Sequence, residues 1–93
     1  MKVTVLEAER NIISAKGKDY SSEIFKGSFY CGQNKLTSLK GAPKEVNGNF
    51  NCSNNNLTTL ENAPEKVSGG FYCNNNHLIT LKGAPEKVKD FFV

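Results

Sequence analysis

The sequence predicts a repeat fold, a solenoid of three 21-residue coils with a short parallel β-sheet on one face and helix-poor return segments. Three observations predict it. The stretches "GSFYCGQNKLTSLKGAPKEV", "GNFNCSNNNLTTLENAPEKV" and "GGFYCNNNHLITLKGAPEKV" begin at Gly27, Gly48 and Gly69, a constant interval of 21 residues. They share the pattern G-x-F-x-C-x-x-N-x-L-x-x-L-x-x-A-P-x-x-V-x. The apolar residues hold fixed places in every copy, which neither composition bias nor a disordered chain produces.

Residues 1–26 do not repeat and are expected to cap the stack, because the open edge of a first coil needs an atypical unit to cover it. "KVTVL" alternates and reads as a strand. "EAERNIISAK" reads either as a helix turning on Ala8, Ile12 and Ala15 or as a second strand using Ile13 and Ala15; a hairpin-like cap is favoured. Ile24 and Phe25 are expected to join the core, Phe25 at the place that Val takes in later copies.

Residues 27–93 hold the three copies and the start of a fourth. F-x-C alternates, as a strand with one buried face requires, and neighbouring copies place their strands parallel, about 4.8 Å apart. Phe29, Phe50, Phe71, Cys31, Cys52 and Cys73 therefore face inward in two columns. The chain must then turn, and its inward backbone groups lose their ladder partners. Asn34, Asn55 and Asn76 stand there; an amide with donors and an acceptor serves its own coil and the next. The flanking Asn54 and Asn56 read as residues that tolerate tight turn geometry in solvent. The return, such as "TTLENAPEKV", is too short and too broken by Pro for more than one helical turn. Leu57, Leu60, Ala63 and Val67 point inward from it, while Leu78, Leu81 and Val88 of the last full copy are expected to lose their cover on the open side. "DFFV", residues 90–93, opens a truncated fourth strand with Phe92 at the Phe position.

The pattern resembles the leucine-rich-repeat family, whose strand motif reads L-x-x-L-x-L-x-x-N-x-L. Phe50, Cys52, Asn55 and Leu57 fall on its second Leu, third Leu, Asn and final Leu. The return through Leu60, Pro64 and Val67 looks like the short bacterial subclass. One extra residue, often Gly (Gly27, Gly48, Gly69), separates the Val from the strand and departs from the family pattern. The variant with Phe, Cys and "GAP" is similar to small repeat proteins of phages and bacteria. The resemblance covers residues 27–93. It implies a right-handed coil, a protein partner and no catalysis.

Composition narrows the function classes. Net charge is +3; residues 1–26 carry five basic and four acidic side chains, and the rest seven and five. No basic stripe appears along the chain, so electrostatics do not argue for nucleic acid or an anionic membrane. No apolar run approaches a membrane span. Three cysteines, one per copy and without close pairs, fit neither a disulfide scaffold nor a zinc site, and a reducing cytoplasm is expected. Small buried thiols filling the inner strand outweigh a bridge or a metal as the role of Cys31, Cys52 and Cys73. Cys73 and His77 share a copy, but the thiol is expected to face inward and the imidazole outward. Asp is too scarce for calcium, and no phosphate-cradling Gly-Lys motif occurs. No cofactor is expected.

What remains is surface. The outward strand positions are Ser28, Tyr30 and Gly32, then Asn49, Asn51 and Ser53, then Gly70, Tyr72 and Asn74, then Phe91 and Val93. Tyr among Ser, Gly and Asn is the composition of adaptable binding surfaces. Tyr30, Asn51, Tyr72, Asn74, Phe91 and Val93 are thus the candidate partner-binding residues; the competing reading is cross-strand packing alone or cover by the N-terminal segment. The expected function is a non-enzymatic protein-interaction module, of the kind a phage uses to occlude a host protein. The alternatives are a self-associating homodimer joined through its C-terminal edge and, more weakly, single-stranded nucleic-acid binding on the tyrosines.

Overall fold

Every copy carries two short runs in which one apolar residue turns toward the core, and each run forms a strand. The computed structural model of the protein describes residues 11–13 and 18–89. The expected strand "KVTVL", most of "EAERNIISAK", and Phe91, Phe92 and Val93 lie outside them. Among the described residues the strands are β1 (Ile24–Lys26), β2 (Phe29–Tyr30), β3 (Glu45–Asn47), β4 (Phe50–Asn51), β5 (Lys66–Val67), β6 (Phe71–Tyr72) and β7 (Lys87–Val88). They make two parallel sheets, ordered β1-β3-β5-β7 and β2-β4-β6. This is a β-rich, repeat-like fold.

The second of these sheets was expected; it pairs Phe29 with Phe50 and Phe50 with Phe71, in register at 21 residues. The first was not. The Val segment, expected as part of a helix-poor return, is extended and pairs Phe25 with Val46, Val46 with Val67 and Val67 with Val88. Phe25 thus takes the Val place, as expected, while Ile24 beside it does not join the core and is 55% exposed. It pairs with Glu45 on the solvent side.

The extra glycine explains how one copy makes two strands. Gly48 stands at the corner between β3 and β4, where a Cβ would come within 2.6 Å of the Gly27 carbonyl carbon in the preceding copy. Only a residue without a side chain lets the backbones stack there.

The core follows the columns. Phe29, Phe50 and Phe71 stack with centroids 5.7 and 5.4 Å apart and planes within 15°. Cys31, Cys52 and Cys73 are buried beside them, as are Leu36, Leu39, Leu57, Leu60, Val46 and Val67. At the other end Ile12 is fully buried, and the Tyr20 ring meets Phe25 and Phe29 edge-on at 5.8 and 5.4 Å. Glu23 continues the ladder backward, its carbonyl accepting from the Lys44 N–H at 2.9 Å.

Leu81 lacks the cover that Leu60 has, as expected for the last full copy. Leu60 is covered by the third copy and donates its N–H to the Lys82 carbonyl at 3.0 Å. Among the described residues nothing stacks on Leu81 in the same way, and it is 60% exposed. Among the described residues no helix is long and apolar enough to cross a membrane.

Candidate functional site

Alternation along β2, β4 and β6 turns Phe inward and the next residue outward, so Tyr30, Asn51 and Tyr72 form one row across the sheet. Tyr30 is 44% exposed, while Asn51 and Tyr72 are half-buried. Two strand spacings put the tyrosine backbones roughly 9.6 Å apart, with Asn51 as the floor between them. A notch of about 150 Å³ opens at one side, lined by Tyr30, Gly32, Gln33, Asn51 and Ser53. Asn74 is exposed one row further along.

The asparagine oxygen in this row is occupied. Asn51 Oδ1 accepts from the Ser53 hydroxyl at 2.6 Å and from the Ser53 N–H at 3.0 Å. This bond pulls Ser53, expected to point outward, into a buried place with 8% of its surface accessible. The row therefore offers a partner phenol groups, ring faces and amide hydrogens, and no formal charge.

A polar ladder underlies the same turn. Asn55 Oδ1 accepts from the N–H groups of Asn34 and Leu36 in the preceding copy at 3.0 and 2.9 Å. Its Nδ2 donates to the carbonyls of Cys31, Cys52 and Ser53 at 3.1, 2.8 and 3.3 Å. Asn76 repeats the arrangement with Leu57 N–H, Cys52 O and Cys73 O. Asn34 donates to its own copy's Gly32 carbonyl at 2.8 Å. The neighbouring Asn54 has φ 57°, as do Gln33 and, at 58°, Asn75 in its column, which is the left-handed conformation Asn tolerates. Asn56 is not in that conformation; its N–H donates across to the Leu36 carbonyl at 2.8 Å.

A second ladder went unread in the sequence. Ser28 Oγ accepts from the Asn49 N–H at 3.0 Å, and Asn49 Oδ1 accepts from the Gly70 N–H at 2.8 Å. These three were expected to be outward surface positions, and the polar Ser28 and Asn49, 21 residues apart and each one place before a Phe, were the available signal. They brace the corner between the sheets.

The thiols do not offer chemistry to solvent. All three cysteines are free and buried, and Cys31 Sγ lies 3.4 Å from the Asn51 carbonyl. Burial, with the neighbouring Cys31 and Cys73 adding to it, pushes the Cys52 thiol well above its ordinary range. Burial alone raises Cys73. His77 is exposed while Cys73 faces the core, so the copy does not assemble them as nucleophile and base. Among the described residues no group of three or more His, Cys, Asp or Glu is arranged to hold a metal ion.

The outer face of the other sheet brings together residues that sequence order keeps apart. Parallel register sets Glu45 beside Lys66 and Lys66 beside Lys87, with Ser68 and Lys89 just past the ends of β5 and β7. The repeated "EKV" at 21-residue spacing would have shown this stack had the Val segment been read as a strand. Comparison with protein-family models, curated proteins and solved structures found no match to this chain.

Proposed function

We propose that the chain is a short right-handed solenoid of leucine-rich-repeat type that works as a non-enzymatic protein-binding module. The observation that carries this reading is the Tyr30–Asn51–Tyr72 row on the exposed side of a sheet whose other side is the core. Large amphipathic rings fixed by a rigid ladder bind with little loss of side-chain freedom, and the amides beside them hydrogen-bond adaptably. The Ser28–Asn49–Gly70 and Asn34–Asn55–Asn76 ladders lock the backbone under the row, so the surface is preorganised. In the reading drawn from family resemblance, the partner is a host protein occluded by a phage accessory protein in the host cytoplasm.

Capture from a bacterial lysate, compared between wild type and the Tyr30→Ala, Tyr72→Ala pair, tests the proposal. A protein retained by wild type and lost by the pair, with the fold intact by circular dichroism, supports it. Retention by both removes this face from the reading. Self-association is the second reading, favoured by the third copy's exposed Ile79 and Leu81, 85% and 60% accessible. Sedimentation of the full chain separates the two, because a monomer at high concentration excludes assembly as the main role.

A further inference from the structure

The Tyr30–Asn51–Tyr72 row lies in a zone without formal charge. Residues 27–34, 47–56 and 68–76, which carry β2, β4 and β6 with their turns, contain no Asp, Glu, Lys or Arg. A polyanion or a charged peptide finds no opposite charge there, so the occupant the row suits is neutral. The row is also one-sided in its hydrogen bonding. Asn51 Oδ1 accepts from both the N–H and the hydroxyl of Ser53. A backbone N–H bonds to the amide oxygen and not to its nitrogen, so the orientation of the amide is fixed. What Asn51 has left for a partner is the pair of Nδ2 hydrogens. The Tyr30 hydroxyl, on a residue 44% exposed, adds a donor that rotates. The row therefore suits a segment rich in acceptors and poor in donors.

Spacing selects the conformation of that segment. Tyr30 and Tyr72 stand on strands that both pair with β4, which sets their backbones roughly 9.6 Å apart. A polyproline II chain rises about 3.1 Å per residue with three residues per turn, and so returns to one face every ~9.3 Å. A β-segment returns every ~6.6 Å. An α-helix comes back after seven residues at ~10.5 Å, with its carbonyls already bonded inside the helix. We propose that the row binds a proline-rich, polyproline II segment of the protein partner, a site that rests on the protein-binding reading above. The segment lies across the strands, with prolines three places apart on the rings of Tyr30 and Tyr72. The carbonyl between them, unpaired in this conformation, accepts from Asn51 Nδ2. Proline has no N–H to strand against a donor. The notch of about 150 Å³ beside Tyr30 admits one small ring. Area points the same way. Three short strands give only a few hundred Å² of face, from about 4.8 Å per strand and ~3.3 Å per residue, whereas a folded partner takes roughly 800 Å². A preformed linear segment loses little freedom on docking and binds through less.

Fluorescence anisotropy with the full chain tests the site. The probes are a labelled peptide with proline at every third place and alanine between, a Gly-Ser peptide of equal length, an amphipathic helical peptide and a neutral β-linked glucan oligomer. The proline peptide is expected to bind more tightly than every other probe and, with no charges to screen, to hold its affinity as salt rises to about 0.5 M. Asn51→Asp keeps the acceptor for Ser53 but turns the donor amide into a carboxylate, and weakens binding roughly tenfold or more. Tyr30→Ala and Tyr72→Ala each do the same, while Lys87→Glu on the other sheet leaves it unchanged. Amide shifts on titration fall on Tyr30, Gly32, Asn51 and Tyr72. Binding no tighter than that of the Gly-Ser peptide, binding undiminished by Tyr30→Ala or by a folded Asn51→Asp, or tighter binding of the helical peptide or the glucan overturns the proposal. If these fail while the Tyr30→Ala, Tyr72→Ala pair still loses a captured partner, the module stands and only the proline-rich ligand falls.

Discussion

Replacing Asn55 by Ala isolates the contribution of the amide ladder. The substitution removes an acceptor shared by two backbone N–H groups, Asn34 and Leu36, and a donor to three carbonyls. Ser53 O keeps the Gln33 N–H at 3.1 Å, so it is not orphaned. Cys52 O likewise keeps Asn76 Nδ2 at 3.1 Å. That leaves the N–H groups of Asn34 and Leu36. Each buried orphan costs about 1–3 kcal/mol. The expected loss is therefore about 2–6 kcal/mol, a large share of the roughly 5–15 kcal/mol that holds a domain together. Asn54→Ala keeps its backbone bond to the Asn74 carbonyl and loses only an Asn suited to φ 57°, which costs about 1 kcal/mol. Asn56 is exposed and its change stays within about 0.5 kcal/mol. Urea unfolding of the three variants reads the order directly. Equal midpoints, or a loss under about 1 kcal/mol for Asn55→Ala, would refute the ladder as a source of stability.

Gly48→Ala drives a methyl into the Gly27 backbone and should lower the urea midpoint, whereas Gly32→Ala, 3.0 Å from the Ser53 carbonyl, should cost less. Native thiol labelling should be slow at Cys52 and complete in denaturant; rapid native labelling would show that the cysteine column does not face the core. Alkaline pH should destabilise the fold through the same residue. The folded Cys52 pKa is raised above its ordinary 9.0, so the unfolded chain ionises first. This contribution is intact below about pH 9 and falls with rising pH by about 1.4 kcal/mol per unit until the folded thiol also titrates. Cys52→Ala should flatten that slope. Leu60→Asp should unfold the protein, because Leu60 is fully buried, while Leu81→Asp should leave it folded. Comparable unfolding by both would contradict the asymmetry between the second and third copies.

The sequence by itself determined the period, the register and most of the core. Three copies at a constant spacing stack like residue on like residue, so the Phe, Cys and Asn columns follow from the spacing alone. The Asn positions were legible because a turn strips the backbone of its partners, and an amide is the side chain that answers both donors and acceptors. Only the tertiary structure decided the second sheet. The glycine-centred corner between Val46 and Phe50 reads locally as a loop, and its extended flanks are stable only when the neighbouring copies pair with them. The same is true of the surface. Ser53 is polar and sits at an outward position, but Asn51 draws it in. Glu45, Lys66 and Lys87 are distant in sequence; parallel pairing sets their charges side by side in one row. Periodicity fixes which residues align, but charge repulsion and burial depend on what lies one strand away.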